Sequence, residues 1–273
     1  MASGVLFDAP GPRARTRNAV ATLIALAVLA AIAYAIYARF DERHQWQAKL
    51  WKPFLQGETW TDYIIPGLLG TLKAAALGAV CAVVAGTLLG LARLSDRRWI
   101  RLTAGAIVEI FRAIPLLLLI FFIFYLAPSV FGGGDYALIA VVAGLTLYNG
   151  SVLAEIFRAG VLAVPRGQSE AAYALGMRKH QVMRMILLPQ AVTAMMPAIV
   201  SQLVVLLKDT ALGYIIAYVD LLNMGFKIIP AVFFGSLIPA AIVIGIIYIG
   251  LNMSLSALAT WLERRRRRTR RAV

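Results

Sequence analysis

Twenty consecutive positions, "AVATLIALAVLAAIAYAIYA" at 19–38, carry no charged side chain. A helix of about 20 apolar residues covers the ~30 Å hydrocarbon layer, and lipid offers no partner to a backbone group left unpaired. The pattern recurs at about 64–92, 103–127, 136–157, 191–218 and 238–262, which predicts an all-α membrane protein of about six transmembrane helices. Composition agrees, with 61% hydrophobic and only 15% charged residues, where a soluble domain has about 25% charged. The first apolar core is too long for a signal peptide and no convincing cleavage site follows, so it reads as a membrane helix. The long second and fifth segments must tilt, bend or extend beyond the hydrocarbon.

Net charge is +14, and its placement argues against nucleic acid. The run "ERRRRRTRR" at 263–271 follows the last apolar segment directly, as orientation signals and anionic-headgroup contacts do. Arg13, Arg15 and Arg17, the cluster Arg93, Arg97, Arg98 and Arg101, residues 158–190 and the basic tail fall on one face. The opposite connections "PSVFGGGD" and 219–237 contain only Lys227 as a cation, although 39–60 mixes four cations with acids. The positive-inside rule therefore puts both termini and 158–190 in the cytoplasm. Trp46, Trp51, Trp60, Trp99 and Trp261 all flank spans, where amphipathic rings favour the headgroup level. Residues 39–60 read as a bent surface helix broken near Pro53, or as a contact for an external partner. The expected organisation is an N-terminal tail, extra span and interfacial segment over 1–61, a transmembrane domain over 62–262, and a basic tail over 263–273. Cys81 lies in an apolar run, and His44 and His180 are far apart in sequence, which leaves no disulfide framework or metal cluster.

Between two spans stands "AVPRGQSEAAYALGMRKHQVMRMILLPQA". Pro165 suits a helix start, "QSEAAYAL" holds strong helix formers, and Gly176 is placed to end the helix in the left-handed conformation. A second helix then returns to the membrane near Pro189. Ala171, Ala172 and Ala174 keep one side of the short helix thin, so another backbone could approach, and Arg166 and Glu170 add polar fixing points. Small side chains give little area for membrane burial, which favours docking over an ordinary interfacial helix.

"EAAYALG" followed by "MILLPQA" resembles the EAA–G–I–LP signature of permease subunits of bacterial ATP-binding-cassette importers. "YNGSVLAEIFRAGVLAVPRGQSEAAYALGM" and "QLVVLLKDTAL" are similar to the polar amino-acid subfamily, as are "GLLGTLKAA" and "VEIFRAIPLLLLIFF". The wording of "VEIFRAIP", "LTLYNGSVLAEI" and "KDTALGY" resembles glutamate-transporting members most closely. The resemblance covers roughly 62–262, and the extra first helix departs from the five-span core of many relatives. It implies a type I importer permease fold with a coupling helix at about 168–175, where Arg166, Gly167, Gln168, Glu170, Ala171, Ala172, Leu175 and Gly176 would meet an ATPase. The implied partners are a cytoplasmic ATPase dimer, a second permease subunit (identical or related), an extracytoplasmic binding protein, the amino-acid substrate and membrane lipids. No G-x-x-x-x-G-K-[ST] loop occurs in the chain. It is therefore expected to be non-catalytic and to hold no cofactor, ATP and Mg being bound by the partner. The implied location is the bacterial inner membrane.

Charges inside apolar segments are costly, about 2.5–3.5 kcal/mol each at the bilayer centre, and are expected to face protein or water. Glu109 and Arg112 are spaced i, i+3 and able to pair. Arg112 would lie roughly 14 Å along an upright third span, unless Pro115 interrupts it. It would either join that ion pair or line the pathway and meet a substrate carboxylate. Adjacent Lys208 and Asp209 point about 100° apart, so they serve different neighbours, and Thr210 can bend the helix or donate a hydrogen bond. Glu155 and Arg158 read as a structural pair at the inner surface, Lys73 as part of span packing, and Gly86 with Gly90 as a static packing site. Glu109, Arg112, Lys208, Asp209 and Thr210 are thus the candidate substrate-path residues. A stand-alone ion-coupled carrier is the alternative, but it gives no reason for the protruding loop. A membrane enzyme lacks any Ser/His/Asp set or carboxylate pair in the sequence.

Overall fold

The computed structural model describes residues 11–271, without the side chains of 259 and 262–271. The expected basic tail, and the first ten residues of the N-terminal tail, lie outside the described side chains and residues. Two compact units divide at Pro53 and Phe54.

The first unit is built on α1 (Pro12–Glu42), about 46 Å long at 1.5 Å per residue. It ends in an Arg39–Glu42 ion pair, and His44 turns the chain in a left-handed conformation. Trp46 then stacks back on Tyr37 and on Trp51, which lies in α2 (Ala48–Trp51). The Trp51 indole donates to the Gln45 carbonyl at 2.9 Å. Aromatic rings with one polar edge gathered at a span's end are the composition of a headgroup belt. Pro53 sits in a short 3-10 turn, 52–55, which realises the expected break.

The second unit opens with α3 (Gly57–Thr59) and one π turn (60–64), and runs on into α4 (Ile65–Arg93). The buried face of α4 is Gly67, Thr71, Ala74, Gly78, Ala82, Gly86 and Gly90, at spacings of three and four. Small residues in that register let two helix backbones approach closely. The partner is α7 (Ala137–Leu162), which packs on α4 along its length. A methyl group on Gly86 would stand 2.6 Å from Leu153 Cβ, and one on Gly90 2.9 Å from Phe157 Cβ. The Gly86–Gly90 motif is therefore a packing site.

The third expected span is two helices, α5 (Arg98–Ala113) and α6 (Leu116–Phe131), bent 98° from one another. Pro115 has no N–H to donate and disfavours helical geometry in the residue before it. Ile114 is accordingly extended, at φ −83° and ψ 128°. The third span is therefore not one continuous helix, and Arg112 stands two residues before its break. Among the described residues five helices are long and apolar enough to span, and the bent pair makes a sixth crossing if counted as one.

After α7 come α8 (Arg166–Ala174), α9 (Lys179–Gln181), a π turn (182–187) and α10 (Leu188–Asp209). A 3-10 turn (210–216) leads to α11 (Leu221–Asn223), a π turn (224–228), α12 (Ile229–Val232) and α13 (Leu237–Arg271). Each of the three π turns immediately precedes a proline near the start of the following helix: Pro66, Pro189 and Pro230. A proline cannot complete the ladder to the carbonyl four residues back, and a wider turn removes the clash without breaking the helix. Two cores result. One joins α4, α6, α7 and α10 around Ile120, Leu145, Leu153 and Leu206; the other gathers Phe54, Ile64, Leu221, Ile229 and Ile244. Phe54 is thus buried in the bundle, although the sequence places it in a surface segment.

Candidate functional site

α8 is the handle that the sequence outlines. Pro165 precedes it in extended geometry, and its carbonyl accepts from Gln168 N at 3.0 Å. At the other end Gly176 adopts φ +75°, Gly176 N donates to the Tyr173 carbonyl, and Met177 N donates to the Ala172 carbonyl. Those two bonds close a Schellman motif and satisfy carbonyls that a helix end leaves open. Arg166, Gly167, Gln168, Glu170, Ala171 and Gly176 are exposed, and Leu175 is 83% exposed. Ala172 corrects the expectation of a uniformly thin docking face. It is only 3% exposed, and α8 packs on the return segment 182–187 of its own chain. A residue used inward leaves the outward surface to its exposed neighbours, including Tyr173.

Two side-chain links hold the legs of the handle. Gln190 Nε2 donates to Gln168 Oε1 at 3.3 Å, and Lys179 pairs with Asp96 in the α4–α5 corner. At this same end of the bundle, Glu155 Oε1 accepts from Arg158 Nε at 3.0 Å, the i, i+3 pair read from the sequence. Glu155 Oε2 also lies 2.9 Å from Arg93 Nη1. Glu109 does not pair with Arg112. Its carboxylate lies 3.5 Å from Arg93 Nη2, because the end of α4 packs beside α5 and brings that guanidinium within reach of two helices. Arg112 is exposed, stands within electrostatic range of Glu155, and closes no ion pair among the described residues. Lys73 is exposed on α4, so it does not contribute to span packing as expected.

A second polar group lies at the middle of α7. Asn149 is fully buried, and its Oδ1 accepts from Gln202 Nε2 on α10 at 2.7 Å. Its Nδ2, also buried, faces the Asp209 carboxyl, the nearest acceptor this side chain meets besides its bond to Gln202. Thr210, fully buried, donates to the Leu207 carbonyl at 2.7 Å just where α10 tightens into the 3-10 turn. Lys208 points elsewhere, into an apolar groove of about 280 Å³ lined by Leu222, Phe226, Ile244 and Tyr248. The adjacent charges are divided as their 100° separation requires.

The five candidate path residues therefore form separate groups. Glu109 and Arg112 belong to the handle end, Asp209 and Thr210 to the mid-bundle site, and Lys208 to the groove. Along α7, Asn149 and Glu155 are about 9 Å apart in height and about 120° apart in direction. No metal-binding set of three His, Cys, Asp or Glu residues occurs among the described residues.

In the connection after α10, Asp220 is completely buried and caps α11, accepting from Asn223 N at 2.6 Å. Burial pushes its carboxyl from 3.8 up to about 6, against the hydrogen bonds and the nearby Lys227 charge that lower it.

Residues 82–268 match the family of binding-protein-dependent transport system inner membrane components. The chain belongs to that family. A glutamate transport system permease protein of Corynebacterium glutamicum, GluD, is 47% identical over 225 residues, 82% of each chain. The glutamate/aspartate import permease protein GltK of Escherichia coli is 33% identical over 74% of this chain and 93% of its own length. Among solved structures, an amino acid ABC transporter crystallised with histidines has a TM-score of 0.68 at 33% identity, over 76% of this chain and 95% of that one. The inward-facing MetNI methionine transporter shares the fold, with a TM-score of 0.61 at 22% identity over 76% of this chain and 96% of that one. The protein is a multi-pass inner-membrane permease component of the importer type, with the type I fold that the motifs implied.

Asn149 and Gln202 were not singled out from the sequence. Their signal is present: each is a polar amide in the middle of an apolar segment, "TLYNGSV" and "VSQLVV". Such residues are expensive in lipid unless a partner or an aqueous path meets them.

Proposed function

We propose that this chain is the non-hydrolysing transmembrane subunit of an ATP-driven importer whose cargo is an acidic amino acid. An ATPase dimer binding ATP and Mg docks on α8, and its closure drives the permease between inward- and outward-facing states. A second permease subunit completes the pathway, and an extracytoplasmic binding protein delivers the cargo. Both termini and the handle lie in the cytoplasm, in keeping with the basic residues gathered on that face.

The observation that carries this reading is the handle itself. It is a nine-residue helix closed at its end by a Schellman motif, tied back through its return leg, with Tyr173 and Leu175 exposed. A short rigid helix presenting one aromatic and one aliphatic side chain on a polar surface has the composition of a docking anchor. The cargo assignment draws on the 47% identity to a glutamate permease and on the chemistry of the mid-bundle site. There Asp209 takes the cargo's ammonium, and Asn149 Nδ2, which faces Asp209 in the empty site, turns to a carboxylate oxygen of the cargo. Arg112, free of ion pairs among the described residues, belongs to the separate group at the handle end and meets a cargo carboxylate farther along the path.

Disulfide trapping tests the docking directly. Leu175→Cys, in a chain lacking the exposed Cys81, should cross-link to a cysteine scanned through the ATPase surface, and should do so in a nucleotide-dependent way. Absence of any cross-link along Glu170–Gly176 would sink the proposal.

A further inference from the structure

The corner between α4 and α5 is clamped by both legs of the handle. On the descending α7 leg, Arg93 Nη1 lies 2.9 Å from Glu155 Oε2, seven residues before α7 ends. On the return leg, Lys179 pairs with Asp96. The same Arg93 guanidinium extends its other nitrogen to Glu109 on α5, at 3.5 Å. Arg158 holds the second oxygen of Glu155. One guanidinium thus stands between carboxylates of two helices, ion-paired with both but without hydrogen-bond alignment to Glu155.

These contacts differ in strength. The Arg93 and Glu155 side chains are 15% and 27% exposed, so their attraction is screened less than that of a surface pair. Lys179 and Asp96 are 44% and 79% exposed, and their pair alone is weak. The strong contact is therefore the one on α7.

α5 is a straight helix of 16 residues that ends at the extended Ile114 and Pro115. Beyond the break, α6 is seated on α7, where Ile120 fills the space left by Gly144. The α5 rod packs on α4 and α7 with Ala104 and Val108 buried, pairs with Arg93 through Glu109, and joins α6 through one extended residue, so it has the parts of a hinged element. We propose that Glu155 is a positioning residue: through Arg93 it transmits handle displacement into α5, which tilts against α6 about the 114–115 break. This rests on the reading of α8 as the ATPase-docking helix.

The test uses the complete complex of permease, ATPase and binding protein in lipid vesicles, with Cys81 replaced by Ser. Leu175→Cys trapping reports docking, and spin labels at Ala106→Cys and Phe122→Cys, both exposed, report the angle between α5 and α6. Glu155→Gln should keep the Leu175 cross-link and ATP hydrolysis, while uptake per ATP falls about tenfold and the ATP-dependent change in the 106–122 distance disappears. Unchanged uptake per ATP with a moving α5 in Glu155→Gln overturns the proposal. A parent complex that never forms the Leu175 disulfide overturns the docking reading, and the clamp with it.

Discussion

Gly70 sits where α4 meets the turn before α11, and a methyl group there would fall inside the Val219 carbonyl oxygen. The neighbouring turn is fixed by two bonds, Tyr218 Oη to the Gly70 carbonyl at 2.9 Å and Leu221 N to Thr71 Oγ1 at 3.0 Å. Gly70→Ala should therefore cost at least about 3 kcal/mol, since backbone rather than a flexible side chain must move. Gly105, in α5 with nothing within 4 Å, should gain roughly 0.5–1 kcal/mol on the same change. Thermal melts of the two purified variants check both signs. Asp220 gives a pH signature. A carboxyl raised from 3.8 to about 6 by burial holds its proton more tightly folded than unfolded, so the contribution is full at low pH and lost as pH rises through about 6. Asp220→Asn stays neutral and can still accept from Asn223 N. It should melt higher than the parent at about pH 7.5 and show a flatter Tm between about pH 4 and 7. A variant that melts lower at neutral pH would contradict the assignment. The sequence made Glu155–Arg158 legible because i, i+3 geometry is local. It did not reveal that Arg93, sixteen positions before Glu109, would take that carboxylate from Arg112, since the outcome depends on how α4 and α5 pack.

At the scale of elements, hydropathy located every long crossing because the bilayer imposes length and apolarity together. The third was the exception. Its composition permits a continuous span, and only the restriction that Pro115 places on Ile114 turns it into two helices at 98°. The handle was readable in detail for the opposite reason: its start and stop are set by Pro165 and Gly176, whose backbone preferences are intrinsic. Gly176 has no neighbour within 4 Å, so only its left-handed backbone demands glycine. Gly176→Ala should cost about 1 kcal/mol at that end of α8, and Gly176→Asn less. The measurement is hydrogen exchange at Met177 and Gly176, whose amides make the closing bonds. Faster exchange in the Ala variant than in the Asn variant is the expected order. Equal rates in all three proteins would mean that the Schellman turn does not close the helix.

For the whole molecule, the family was legible because ordered motifs along most of the chain each correspond to a built feature. The small-residue register of α4 became the α4–α7 seam, and "EAAYALG" became the capped handle. What the sequence left scattered was the interior chemistry, where candidate residues proved to belong to separate groups on different faces of the bundle. On the proposed function, the chain is one part of a machine and moves no solute alone. The direct measurement is uptake of labelled glutamate into vesicles holding this permease with its second permease subunit and binding protein, with and without the ATPase. The account predicts accumulation only when the ATPase and ATP are both present; accumulation driven by an ion gradient in vesicles without the ATPase would contradict it.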